Sequence, residues 1–134
     1  MKRILPAVLA VALVSAGCAD PAAPTTPTPA TPTIVETFSD TLLVAGANTH
    51  QFNVDKIGGV KVSLTSVEPG AAVLIGVGTP SLGSCSVIDH IEAVAGKAIL
   101  LSGTATVPGA YCVIIQDIGN LVEPAVYTIN VLHS

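Results

Sequence analysis

Val60-Lys61-Val62-Ser63-Leu64-Thr65 alternates apolar and polar side chains one by one, the period-2 rhythm of a β-strand with one face in a core and the other in water. It puts Val60, Val62 and Leu64 inward and Lys61, Ser63 and Thr65 outward. Near the C-terminus, Tyr127-Thr-Ile-Asn-Val131 repeats the pattern, with Tyr127, Ile129 and Val131 inward and Thr128 and Asn130 outward. Between and around these two stretches, short β-branched runs are punctuated by Gly, Pro and Asn about every ten residues, and no segment sustains a helical period. Strands are predicted over 36–44, 50–54, 59–67, 72–77, 84–88, 98–106, 110–117 and 125–132. Turn chemistry lies at Gly46-Ala-Asn48, Glu68-Pro-Gly70, Thr79-Pro80, Val107-Pro-Gly109 and Gly119-Asn120. The implied fold is all-β, a jelly-roll-like antiparallel β-sandwich of about eight strands. Ala72-Val-Leu-Ile-Gly-Val77 and Tyr111-Cys-Val-Ile-Ile115 are apolar on both faces, which suits central strands or strands with a covered outer face.

With 134 residues the chain has room for one core. Half of it is hydrophobic and a tenth is charged, so its surface must be made of Thr, Ser, Asn and Gly more than of Lys and Glu. Beyond residue 17 the cations are Lys56, Lys61 and Lys97 against nine Asp and Glu, with no Arg. Three scattered lysines supply neither a phosphate fork nor a counterion-releasing surface, and nucleic acid is excluded as a partner.

The N-terminus reads as an address. Lys2-Arg3 precedes an apolar run, Ile4 to Val14, of signal-peptide length and too short to span a bilayer. Ser15-Ala16-Gly17-Cys18 then resembles a bacterial lipobox, where a thiol is diacylated and the chain is cut ahead of it. Ser15 stands where Leu is commonest in that pattern. Residues 1–17 are thus expected to be a lipoprotein signal peptide, with Cys18 the lipidated residue; the alternative is an ordinary secretory signal cut near Gly17 or Ala19. Cysteine parity favours lipid. Of three cysteines, modifying Cys18 leaves Cys85 and Cys112 to pair. Residues 18–33, rich in Pro and Thr, form a semi-rigid tether reaching roughly 40 Å, and residues 34–134 form the folded domain. The resulting location is the cell envelope, anchored in the outer or cytoplasmic membrane with the domain in the periplasm or at the cell surface.

In that oxidising compartment a Cys85–Cys112 disulfide is the default; a redox pair or metal thiolates are the rival readings, without CxxC spacing or accompanying ligands. Asp89-His90-Ile91-Glu92 is the densest polar cluster. Asp89 and Glu92, with Asp117, are weak candidates for calcium, against a solvated loop after Cys85 and a turn cap at Asp117. Catalysis would need a nucleophile, a base and an orienting group, and His50, His90 and His133 sit in no elbow or zinc-binding spacing. His50 alternates with Phe52 and Val54 as a strand-edge residue, and His133, next to the C-terminus, is expected to be exposed.

Phe38-Ser-Asp-Thr-Leu, His50-Gln-Phe-Asn-Val, Val60-Lys-Val-Ser-Leu-Thr, Gly109-Ala-Tyr-Cys-Val-Ile-Ile-Gln-Asp and Tyr127-Thr-Ile-Asn-Val together resemble the bacterial pre-peptidase C-terminal domain, a small jelly-roll-like sandwich appended to secreted proteases and also found alone in exported proteins. The resemblance spans 34–134. It implies an accessory, non-catalytic domain; members attached to collagenases bind calcium and matrix or carbohydrate, although their acidic calcium runs are missing from this chain. The expected function is a membrane-anchored, non-enzymatic interaction or structural module for a protein or polysaccharide ligand. The alternative is a calcium-linked ligand- or carbohydrate-binding module, and a hydrolase accessory or enzyme is a third class. With no Trp and both Tyr inside predicted strands, a ring-stacking sugar site has little to build on.

Overall fold

The computed structural model describes residues 21–96 and 100–134. Cys18 and the segment 1–17 lie outside the described residues. Eight strands follow one another: β1 (Ile34–Leu42), β2 (Ala47–Val54), β3 (Gly58–Glu68), β4 (Ala72–Ser81), β5 (Ser84–Val94), β6 (Leu100–Ala105), β7 (Gly109–Asp117) and β8 (Ala125–His133). They form two four-stranded antiparallel sheets, ordered β1-β8-β3-β6 and β2-β7-β4-β5. The chain crosses between sheets after nearly every strand, which is the jelly-roll winding expected from the pattern.

The alternation assigned the faces correctly. Val60, Val62 and Leu64 are buried, and so are Tyr127, Ile129 and Val131, while Thr128 and Asn130 are half-exposed on the outer surface. In β3 a bulge between Leu64 and Ser66 absorbs the exposed Thr65 and shifts the phase, so that Val67 rather than Ser66 enters the core. The two runs that are apolar on both faces, β4 and β7, are the central strands of the second sheet. No strand covers the outer side of this pair among the described residues, and Leu74 and Ile114 stay half-buried there. By contrast the outer face of the first sheet is mostly polar: Thr37 Oγ1 donates to Asn130 Oδ1 at 2.9 Å, and the Ser39 and Thr128 hydroxyls lie 2.9 Å apart. Cross-strand ladders of this kind stabilise a solvated sheet face.

The β1–β2 turn falls at Val44-Ala45, ahead of the expected Gly46-Ala-Asn48, so Ala47 and Asn48 already belong to β2, and two further elements depart from the sequence reading. The turn expected at Thr79-Pro80 lies inside β4, and the reversal comes at Leu82-Gly83, both with positive φ (48° and 78°), between the paired Ser81 and Ser84. That is the primed two-residue turn matching strand twist, normally made by Asn-Gly; Leu82 is an unusual occupant and fully exposed. Pro80 is tolerated because pairing with β7 ends at Gly78, so β4 has a neighbour on one side only there. Second, β5 continues through Asp89-His90-Ile91-Glu92 to Val94 instead of ending in a loop at Ile88.

From Ala30 onward the Pro/Thr segment lies against the sandwich: Ala30 N donates to Ile57 O at 2.7 Å and Thr33 N to His133 O at 2.9 Å. At Gly58 the Ala30 carbonyl and Ser134 side chain occupy the space a Cβ would need. The C-terminus closes the same corner, with Ser134 Oγ donating to Lys56 O at 2.9 Å. Residues 21–29 are exposed and carry no regular structure.

Candidate functional site

The three acids considered for calcium do not converge. Asp117 pairs with Val73 and Asp89 with Val77; partners across a sheet share a face, so both acids project toward the sandwich interior. Their partners are four positions apart on β4, about 13 Å of strand. Glu92 pairs with Leu74 on the opposite face. Among the described residues, no three His, Cys, Asp or Glu side chains gather as a metal set.

Asp117 has a different task. Its Oδ1 accepts from the backbone N–H of Gly119, Asn120 and Leu121 at 2.9, 3.0 and 3.1 Å, and its Oδ2 from Ala45 N at 2.8 Å. One carboxylate thus caps the β7–β8 turn and pins the β1–β2 turn, where Ala45 takes φ 57°. Those donors, Ala45 first, hold its pKa below the ordinary carboxylate range against the opposing effect of burial.

The histidines are equally engaged. His50, on edge strand β2, turns inward: Phe38 stacks on its ring at 4.8 Å and 11°, and its Nε2 lies 2.6 Å from the Tyr127 hydroxyl. Asn48 Nδ2 donates to that hydroxyl at 3.1 Å, which leaves the phenol proton available to Nε2 of a neutral ring. Burial lowers the His50 pKa, opposed by the negative charge of Asp40. His133, expected at the surface, is buried at 1% exposure because β8 occupies the centre of its sheet to the last residues; its Nε2 donates to Glu36 Oε1 at 2.9 Å and its ring lies against Phe52. His90 is exposed on the outer face of the second sheet. These residues form no nucleophile–base–orienter chain; the two inward histidines join strands.

Cys85 and Cys112 are bonded, with Cα atoms 5.8 Å apart. The bond links β5 to β7 across the intervening β4, whose Gly78 pairs with Cys112. A Cβ on Gly78 would run into the Ser86 carbonyl. The glycine is what lets the three strands lie this close.

An apolar cleft opens between the edge strands β5 and β6, with a volume of about 220 Å³. Sequence reasoning did not find it, since an inward-facing glycine reads simply as a gap in the pattern. Gly103 pairs with inward Val60, between inward and buried Leu101 and Ala105, yet is itself exposed. At that position the core lacks a side chain, and no atom lies within 4 Å of where a Cβ would stand. Val60, Val77, Ala105 and the Tyr111 ring form the walls. The β5 bulge opposite Val77 and Gly78 brings Ile88 and Asp89 to the mouth.

A solved structure has this sandwich. It is a crystal structure of the Yersinia pseudotuberculosis-derived mitogen, with a TM-score of 0.54 over 77% of this chain and 87% of that one, at 14% identity. At that identity the likeness is one of fold. No protein-family model matches the chain, nor does any curated protein, so the resemblance to the pre-peptidase C-terminal domain stands on the strand pattern alone.

Proposed function

We propose that the protein is an exported lipoprotein whose β-sandwich serves, on a short tether, as a non-catalytic interaction module. The disulfide carries this reading. A buried Cys85–Cys112 bond belongs to an oxidising, extracytoplasmic compartment, and by engaging two of the three cysteines it leaves Cys18 as the thiol for lipid. The exposed Pro/Thr residues 21–29 suit a spacer between a lipid and the first contact with the sandwich at Ala30. The engaged states of Asp117, His50 and His133 assign the buried polar groups to the fold, and leave recognition to the surface and the β5–β6 cleft. Fractionating cells that express the Cys18→Ala chain tests the anchor. The parent is expected in the membrane fraction and the variant in the soluble one; equal membrane retention of both overturns the proposal.

A further inference from the structure

We propose that the cleft between β5 and β6 binds a small amine with an apolar body; this rests on reading the domain as an interaction module and names its ligand class. The first argument is the missing side chain at Gly103. A Cβ there would meet no atom within 4 Å, and the half-open cleft that Gly103 lines has a volume of about 220 Å³, whereas a cavity of about 150 Å³ lined by aliphatic and aromatic groups already takes up benzene. The opening at the sheet edge gives a ligand a way in. Apolar walls at Val60, Val77 and Ala105 make burial of a hydrocarbon body the driving force.

The second argument is charge. Among the described residues Asp89 is the charged group on the wall. Its Oδ1 accepts from His90 N at 2.9 Å, which orients the carboxylate and leaves Oδ2 open. The Tyr111 hydroxyl donates to Val107 O at 2.8 Å, so tyrosine offers the ligand its ring rather than its proton. Lys56 and Lys61 do not line the cleft: Lys61 is on the outer face of β3 and Lys56 in the β2–β3 turn. A carboxylate at the mouth of an apolar hole pairs with a cationic head on an apolar body, and repels an anionic one.

The test is a methyl-detected NMR titration of the full chain with hexylamine, with hexan-1-ol and hexanoate as matched probes. Saturable shifts are expected on the methyls of Val60, Val77, Ile88 and Ala105, with hexylamine binding more tightly than hexanol and hexanoate more weakly than both. Asp89→Asn, at an exposed position, leaves the fold intact and is expected to weaken hexylamine by about tenfold, to the level of the alcohol. Gly103→Leu fills the hole; it is expected to abolish binding of all three while melting at or above the parent temperature, since the new side chain enters empty space. Absence of saturable shifts, equal binding of hexanoate, or hexylamine binding that survives Gly103→Leu overturns the proposal. Each of these is read from methyls of the sandwich, so it is separate from the outcome of the Cys18→Ala fractionation.

Discussion

His50 and Tyr127 show how one pair of side chains ties the two sheets. Tyr127 is fully buried on β8 and His50 lies on β2 in the other sheet, so the hydrogen bond between them crosses the interior. Burial sets the His50 pKa below its ordinary value of 6.5. As the pH falls below that value the unfolded chain takes up the proton first, so stability declines from there down to the lower folded pKa and levels off beneath it. Tyr127→Phe removes the donor that favours the neutral ring. It is expected to cost about 1 kcal/mol at pH 7.5 and to make the decline below pH 6.5 shallower; urea unfolding at a series of pH values measures both, and an unchanged pH slope would show that the hydroxyl does not hold the imidazole neutral. The sequence placed Tyr127 inward but not its partner: strand alternation gives a face, while the opposing sheet is chosen by the winding.

Among the elements, β5 is the one whose role differs most from its composition. Asp89, His90 and Glu92 read as a solvated loop, yet the strand runs on because Ile91 and Ala93 still alternate inward past the bulge at Ile88. An edge strand carrying charge is protected against pairing with another chain, so its polarity fits its position. Its attachment is one-sided: among the described residues β4 is its only neighbour in the sheet, and the disulfide to β7 is its second hold. The bonded cysteines are 27 residues apart, and closing a loop of that size is worth about 3 to 4 kcal/mol on the chain-entropy account. Replacing both Cys85 and Cys112 by Ser is expected to lower the urea midpoint accordingly, with β5 amides losing hydrogen-exchange protection before those of β7. Simultaneous loss in both strands would contradict the one-sided attachment.

At the scale of the whole molecule, the first and last strands are partners: β1 pairs with β8 along its entire length, and β8 also pairs with β3. Half of the first sheet therefore cannot assemble before the C-terminus is present, a long-range topology whose closure entropy comes before its contacts. Deleting residues 125–134 removes Tyr127, Ile129 and Val131 from the core and leaves β1 without a neighbour. The truncated chain is expected to show no cooperative thermal transition by circular dichroism; a sigmoidal melt from it would mean that the second sheet folds by itself. By itself the sequence determined the all-β class, the inward faces of β3 and β8, the doubly apolar character of β4 and β7 and the cysteine pair, because alternation, apolar runs and cysteine count are local or compositional properties. Tertiary structure alone decided that His133 is buried, that Asp117 serves two turns, and that the gap at Gly103 faces an open sheet edge with Asp89 at its mouth. Each of these depends on which strands lie opposite, and an eight-strand winding brings together residues whose separation along the chain carries no period.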